Sequence, residues 1–131
     1  LRVAAIVQKA KYHFIREAIP HLFSNPTQHS AFIAELIEEA NQMSAAAVAF
    51  AALAMRERAD FTAYVNDHPE QFIFVHGKFD RLVSVDELHA KINRAKVQLL
   101  DCGHMAHVEA GAEIMRILED ELFLNKDQNI I

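Results

Sequence analysis

Glycine is almost missing from this chain: 131 residues hold three, Gly77, Gly103 and Gly111. Three isolated glycines cannot build a GxGxxG dinucleotide loop or a GxxxxGKS/T phosphate loop, so both nucleotide-cradling devices are excluded for this stretch. Cysteine is scarcer still. With Cys102 alone, no internal disulfide, CxxC pair or Cys/His zinc spacing can form; a reducing compartment fits, and a cytoplasmic setting is expected. Long apolar runs are lacking as well. The longest, residues 45–55, ends at Arg56 and falls well short of the roughly 20 residues a membrane-crossing helix needs. Finally there is no cationic cluster: 13 Lys and Arg stand against 18 Asp and Glu, for a net charge of −5. Nucleic acids and anionic membrane surfaces demand a basic footprint, so neither is expected as a partner. The chain opens Leu1-Arg2-Val3, without an initiator methionine or signal-like leader, and is expected to be a fragment of a longer protein.

What is present is a hydrophobic content of 52% with 24% charged residues, enough apolar material for a packed core and too much for a disordered chain. Residues 1–65 contain no glycine and are rich in Ala, Leu, Ile, Glu and Gln. They read as successive helices. Asn25-Pro26 looks like a helix start, since asparagine accepts orphan amide bonds and proline suits the first turn; Phe32, Ile33, Leu36, Ile37 and Ala40 then recur at helical spacing. Ser44 can cap a third helix with Val48, Phe50, Ala51 and Leu53 on its face, and Asp60 can start a short fourth segment.

Past Pro69 the pattern changes. Residues 72–76, Phe-Ile-Phe-Val-His, form a compact aromatic and β-branched run ending at Gly77, as a buried strand does. Ser84 and Glu87 make a capping box that opens a short helix through Leu88 and Ile92. A second strand is expected over residues 96–100, then a loop through Cys102, Gly103 and His104. A last helix follows with Ile114, Ile117, Leu118 and Leu122 on one face, and a frayed tail over residues 125–131.

Two strands joined by a short helical crossover are expected to lie parallel and adjacent. The loop after each strand then falls on the carboxyl edge of the sheet, where α/β proteins bind ligands. One such loop presents Asp80, in Gly77-Lys78-Phe79-Asp80-Arg81-Leu82-Val83, and the other His104, in Gly103-His104-Met105-Ala106-His107. A carboxylate beside an imidazole can fix its tautomer and stabilise the imidazolium formed when Nε2 takes a proton from a nucleophile. The bland reading of Asp80 is a turn-former.

The G-x-x-D-x-x-V element of residues 77–83 and the G-H-x-x-H-x-E element of residues 103–109 resemble the acid and histidine loops of the α/β-hydrolase fold family, in the family's chain order. The resemblance covers residues 72–124; more weakly, through topology and composition, residues 1–65 resemble the helical lid inserted before these strands. It implies the carboxyl-terminal part of an α/β-hydrolase fold, a helical lid followed by two parallel β-α units, divided as residues 1–68 (lid) and 69–131 (core). It further implies Asp80 as triad acid and His104 as triad base, and an activity that defaults to carboxylic-ester hydrolysis of a small molecule with an acyl or ester-like group. Val83 and Met105 are placed at the substrate pocket, with ordinary core positions as their alternative.

The departures from the family are specific. Gly111 stands where proline is common, which affects only how the last helix begins. No G-x-S-x-G elbow surrounds Ser24, Ser30, Ser44 or Ser84, so the nucleophile is expected upstream and the isolated chain is expected inactive. Cys102 beside the proposed base reads as a small buried side chain. His107 is expected to support the histidine loop, because His104-x-x-His107 lacks a third zinc ligand; no metal and no cofactor are expected. Glu109 is expected to order the start of the last helix. Two other readings stand beside the serine hydrolase: an upstream aspartate nucleophile, as in dehalogenases and epoxide hydrolases, and a non-catalytic interaction module. Two strands alone leave unpaired edges, so the missing amino-terminal half or a second copy is expected to pair with the sheet.

Overall fold

The computed structural model describes residues 2–123, with side-chain surroundings from residue 11 onward. The first half is helical: α1 (Arg2–His21), α2 (Ser30–Gln42), α3 (Ala45–Arg56) and α4 (Thr62–Asp67). A 3₁₀ turn over Pro69–Gln71 leads into β1 (Ile73–Gly77), and α5 (Val85–Lys91), β2 (Lys96–Leu100), α6 (Ala106–Glu109) and α7 (Gly111–Phe123) complete the order.

Local chemistry accounts for several of these boundaries. The Ser44 hydroxyl accepts from the Ala47 N–H at 3.1 Å and caps α3. Asp60 Oδ1 accepts from the Thr62 N–H at 2.9 Å as α4 begins. The Ser84–Glu87 box closes from both sides, Ser84 Oγ accepting from the Glu87 N–H at 3.2 Å and Glu87 Oε2 from the Ser84 N–H at 2.9 Å. Asn25-Pro26 behaves differently from its expectation. Asn25 Oδ1 accepts from the Gln28 N–H at 3.3 Å in a turn, and α2 starts only at Ser30. The preceding residues are held by a distant loop, as described below, and the chain must turn before it can coil.

α1 packs on both α2 and α3. The buried residue of α3 is Ala49, whereas Phe50 is 74% exposed, so the face expected to carry Phe50 and Leu53 points outward. A small side chain at the crossing lets two helices approach closely, which a larger residue would prevent. β1 and β2 pair in parallel from Ile73↔Lys96 to Gly77↔Leu100. Val65, Leu88 and Ile92 form a core against Phe72, Phe74, Ala95 and Val97, joining α4 and α5 to the sheet. On α7 only Ile117 is buried, while Leu118 and Leu122 are exposed. The expected tail, residues 125–131, lies outside the described residues.

The expected fold class requires correction. The chain is a mostly helical, small mixed α/β domain whose described residues contain one sheet of two strands; this is not the carboxyl-terminal part of an α/β-hydrolase fold. The reason lies in the patterning. Among the described residues only 73–77 and 96–100 make strands, at the two places expected, and the other apolar side chains recur at helical spacing and feed helix packing, so helix dominates and the sheet stays too small to form part of a hydrolase core. None of the described helices is long and apolar enough to cross a membrane.

At the end of β1 two backbone segments approach closely. A Cβ on Gly77 would lie 2.1 Å from the Gly103 carbonyl oxygen and 2.5 Å from that of Cys102, both backbone atoms that cannot swing aside. Gly77→Ala is therefore expected to force the two loops apart and lower stability by about 1–3 kcal/mol in urea melts. A change within about 0.5 kcal/mol, the range of ordinary surface substitutions, would contradict this close approach.

Candidate active site

The loop after β1 is built by backbone bonds to the loop after β2. The Lys78 N–H donates to Leu100 O at 2.8 Å, the Phe79 N–H to Cys102 O at 3.0 Å, and the Asp80 N–H turns back to Gly77 O at 3.2 Å. Asp80 then closes its own turn, Oδ1 accepting from the Leu82 and Val83 N–H groups at 2.8 and 3.1 Å. The other oxygen, Oδ2, faces His104 Nδ1 at 2.8 Å. The carboxylate is all but enclosed, its side chain 3% exposed, and the imidazole in front of it is 41% exposed.

Burial pushes the Asp80 carboxyl up, but the bonds from His104, Val83 and Leu82, with the charge of His104, outweigh it and hold the group below the ordinary value. Ionised Asp80 can only accept, so the proton in the 2.8 Å bond belongs to His104 Nδ1. A neutral His104 then carries its lone pair on Nε2. That atom can accept a proton, and a carboxylate so placed would stabilise the imidazolium that formed.

His104 is held by a segment far away in sequence. Its N–H and that of Met105 both donate to Leu22 O, at 2.8 and 3.2 Å. Glu109 does not act on its own helix end, as expected, but reaches across: Oε1 accepts from Ser24 N–H at 2.8 Å and Ser24 Oγ at 2.6 Å, and Oε2 from the Gly103 N–H at 2.7 Å. Burial raises the Glu109 carboxyl, and these bonds more than offset that, leaving it lowered. Gly103 is needed beneath this clamp, since a Cβ there would come within 2.6 Å of Ser24 N and 2.9 Å of both Glu109 Oε2 and Leu22 O.

The remaining singled-out residues fall into separate places. Val83 contributes its N–H to Asp80, and it lines a cleft of about 240 Å³ with Thr62, Leu82, Leu88 and Ile92. Met105 lines another of about 490 Å³ with Ile19, Leu22, Leu36 and Met43. Asp80 and His104 are brought together; Val83 and Met105 open to different clefts. Cys102 is fully buried, and burial, then the charge of Glu109, pushes its thiol up, away from the thiolate a nucleophile needs. His107 is exposed and not packed under the loop. Among the described residues no three His, Cys, Asp or Glu are grouped to hold a metal ion.

Sequence reasoning missed Leu22, Ser24 and His76. Leu22 acts through its carbonyl, which has no side-chain signature at all. Ser24 stands before Asn25-Pro26, and nothing in its neighbours along the chain points to Glu109, 85 residues away. His76 lies behind Asp80, with Nε2 2.9 Å from Val83 O and 3.8 Å from Asp80 Oδ2. Compared with known proteins, the chain matches no family model, and no curated protein matches it.

Two outcomes are expected from this geometry. Glu109→Ala strands the Ser24 and Gly103 amides and should cost about 2–3 kcal/mol in a urea melt; a neutral result would mean the clamp does not form in solution. Asp80 and Glu109 are both held below their unfolded carboxyl values, which lie near 4. The stability they contribute is complete above that range and is lost as pH falls through it toward the lower folded values. Melting temperature followed from pH 6 down to 2 should fall less steeply below about pH 4 in Asp80→Asn with Glu109→Gln than in the parent, and equal slopes would refute the linkage.

Proposed function

We propose that Asp80 and His104 are the acid and base of a hydrolase that works through a covalent intermediate, with carboxylic-ester hydrolysis of a small acyl-bearing molecule as its reaction. The single observation carrying this reading is the 2.8 Å bond from His104 Nδ1 to an enclosed Asp80, which leaves Nε2 on the open side of the ring. The motif resemblance around Gly77–Val83 and Gly103–Glu109 supports the same roles. The support is chemical and local, and does not extend to the architecture.

The attacking group is supplied from outside the described residues, in this reading by a serine upstream. Ser24 Oγ is engaged by Glu109, Ser44 and Ser84 are engaged in helix caps, and Ser30, which opens α2, lies in no G-x-S-x-G elbow. His104 Nε2 takes the proton of the attacking hydroxyl as the serine oxygen adds to the ester carbonyl. Asp80 pairs with the resulting imidazolium. When the tetrahedral adduct collapses, Nε2–H passes its proton to the departing alkoxide and an acyl-enzyme remains. Water, deprotonated by the same nitrogen, releases the acid and restores the serine. The setting that fits a lone buried thiol at Cys102 is the reducing cytoplasm. In this reading the nucleophile comes from a segment upstream of Leu1, and the open edge of the two-stranded sheet is where that segment, or a second copy of the chain, would pair.

Treating the full-length gene product with a serine-directed fluorophosphonate tests this directly. One adduct on a serine preceding Leu1 is expected, with the labelling rate lowered about 10²–10⁴-fold in His104→Ala. Absence of an adduct, with dehalogenase or epoxide-opening activity in its place, would move the nucleophile to an aspartate. Neither adduct nor activity would leave the pair in a non-catalytic interaction module.

A further inference from the structure

Asp80 has two imidazoles beside it, and the chemistry above uses one. His76, the next-to-last residue of β1, is half-buried, its side chain 14% exposed. Its Nε2 lies 2.9 Å from the Val83 carbonyl oxygen. A carbonyl has no proton to give, so Nε2 must carry the hydrogen in this bond. The Val83 unit is thereby gripped at both ends: its N–H donates to Asp80 Oδ1 at 3.1 Å and its C=O accepts from His76.

That grip sets the angle of the carboxylate. With Leu82 and Val83 N–H groups both on Oδ1, the Asp80 side chain cannot rotate unless the 82–83 turn moves, and Oδ2 is left aimed at His104. His76 anchors the far side of that turn to a strand. The same Nε2 stands 3.8 Å from Asp80 Oδ2, too long for a hydrogen bond. We propose that His76 is a positioning residue for the Asp80–His104 pair: in its Nε2–H tautomer it locks the Val83 carbonyl and so holds the Asp80 carboxylate in line with His104 Nδ1. The role in catalysis rests on the hydrolase reading, whereas the coupling itself is a property of this chain and can be measured without a substrate.

The test is nuclear magnetic resonance of the 131-residue chain labelled with ¹⁵N in histidine. Long-range nitrogen correlations in the parent report the His76 tautomer, and the protonated nitrogen should be Nε2; protonation on Nδ1 alone overturns the proposal without any substitution. The Nδ1–H proton of His104 should appear as a protected, downfield signal in the parent. In His76→Phe, which keeps an aromatic ring but has no donor, this signal should be lost or move upfield; in His76→Gln, whose amide can donate to Val83 O at similar reach, it should persist. A signal unchanged in His76→Phe overturns the positioning role and leaves the hydrolase reading standing. A signal already absent in the parent overturns both, because the Asp80–His104 bond is then not made. Should His76→Phe fail to fold, His76→Leu serves as the donor-free variant, and an unchanged His104 signal in it overturns the positioning role.

Discussion

Two loops leaving one edge of a two-stranded parallel sheet are pressed together backbone to backbone at Gly77 and Gly103, and the rest of the site depends on that contact. The space a Cβ would need at Gly77 is already filled by carbonyl oxygens of the other loop. Only this approach brings the Phe79 N–H onto Cys102 O and, one residue on, the Asp80 carboxylate onto the His104 ring. With three glycines in the whole chain, two are spent where side chains would collide.

Around that contact the buried polar groups are satisfied. No buried side-chain nitrogen or oxygen among the described residues lacks a partner. Asp80 and Glu109 do similar work with different reach: each is a carboxylate whose burial is unfavourable and whose bonds from backbone amides and side chains outweigh that cost. Asp80 closes a turn four residues long. Glu109 spans 85 residues to tie Ser24 to the histidine loop. The surface pair Lys78–Asp101, at 2.7 Å but largely exposed, adds little beside them.

Large apolar side chains remain on the surface, among them Phe50, Met55, Phe61, Phe79 and Leu82. Two of these, Phe79 and Leu82, lie within two residues of Asp80. A sheet of two strands, packed with helices such as α3 and α7 that each bury a single residue, leaves this apolar area uncovered.

The short-range elements were legible in the sequence by itself. Strand β2 lies where its β-branched and apolar run predicts, β1 is displaced by one residue, and the Ser44 cap and Ser84–Glu87 box form as their spacing requires. Such signals lie within a few residues of the atoms they control, and a parallel pair with a short crossover brings Asp80 and His104 to one edge without further information. Tertiary structure alone decided the rest. It turned Phe50 outward, delayed α2 to Ser30, and chose Leu22, Ser24 and His76 as the supports of the pair. Those supports act largely through backbone carbonyls and amides, which every residue possesses, so no pattern of side chains along the chain could reveal which of them would meet.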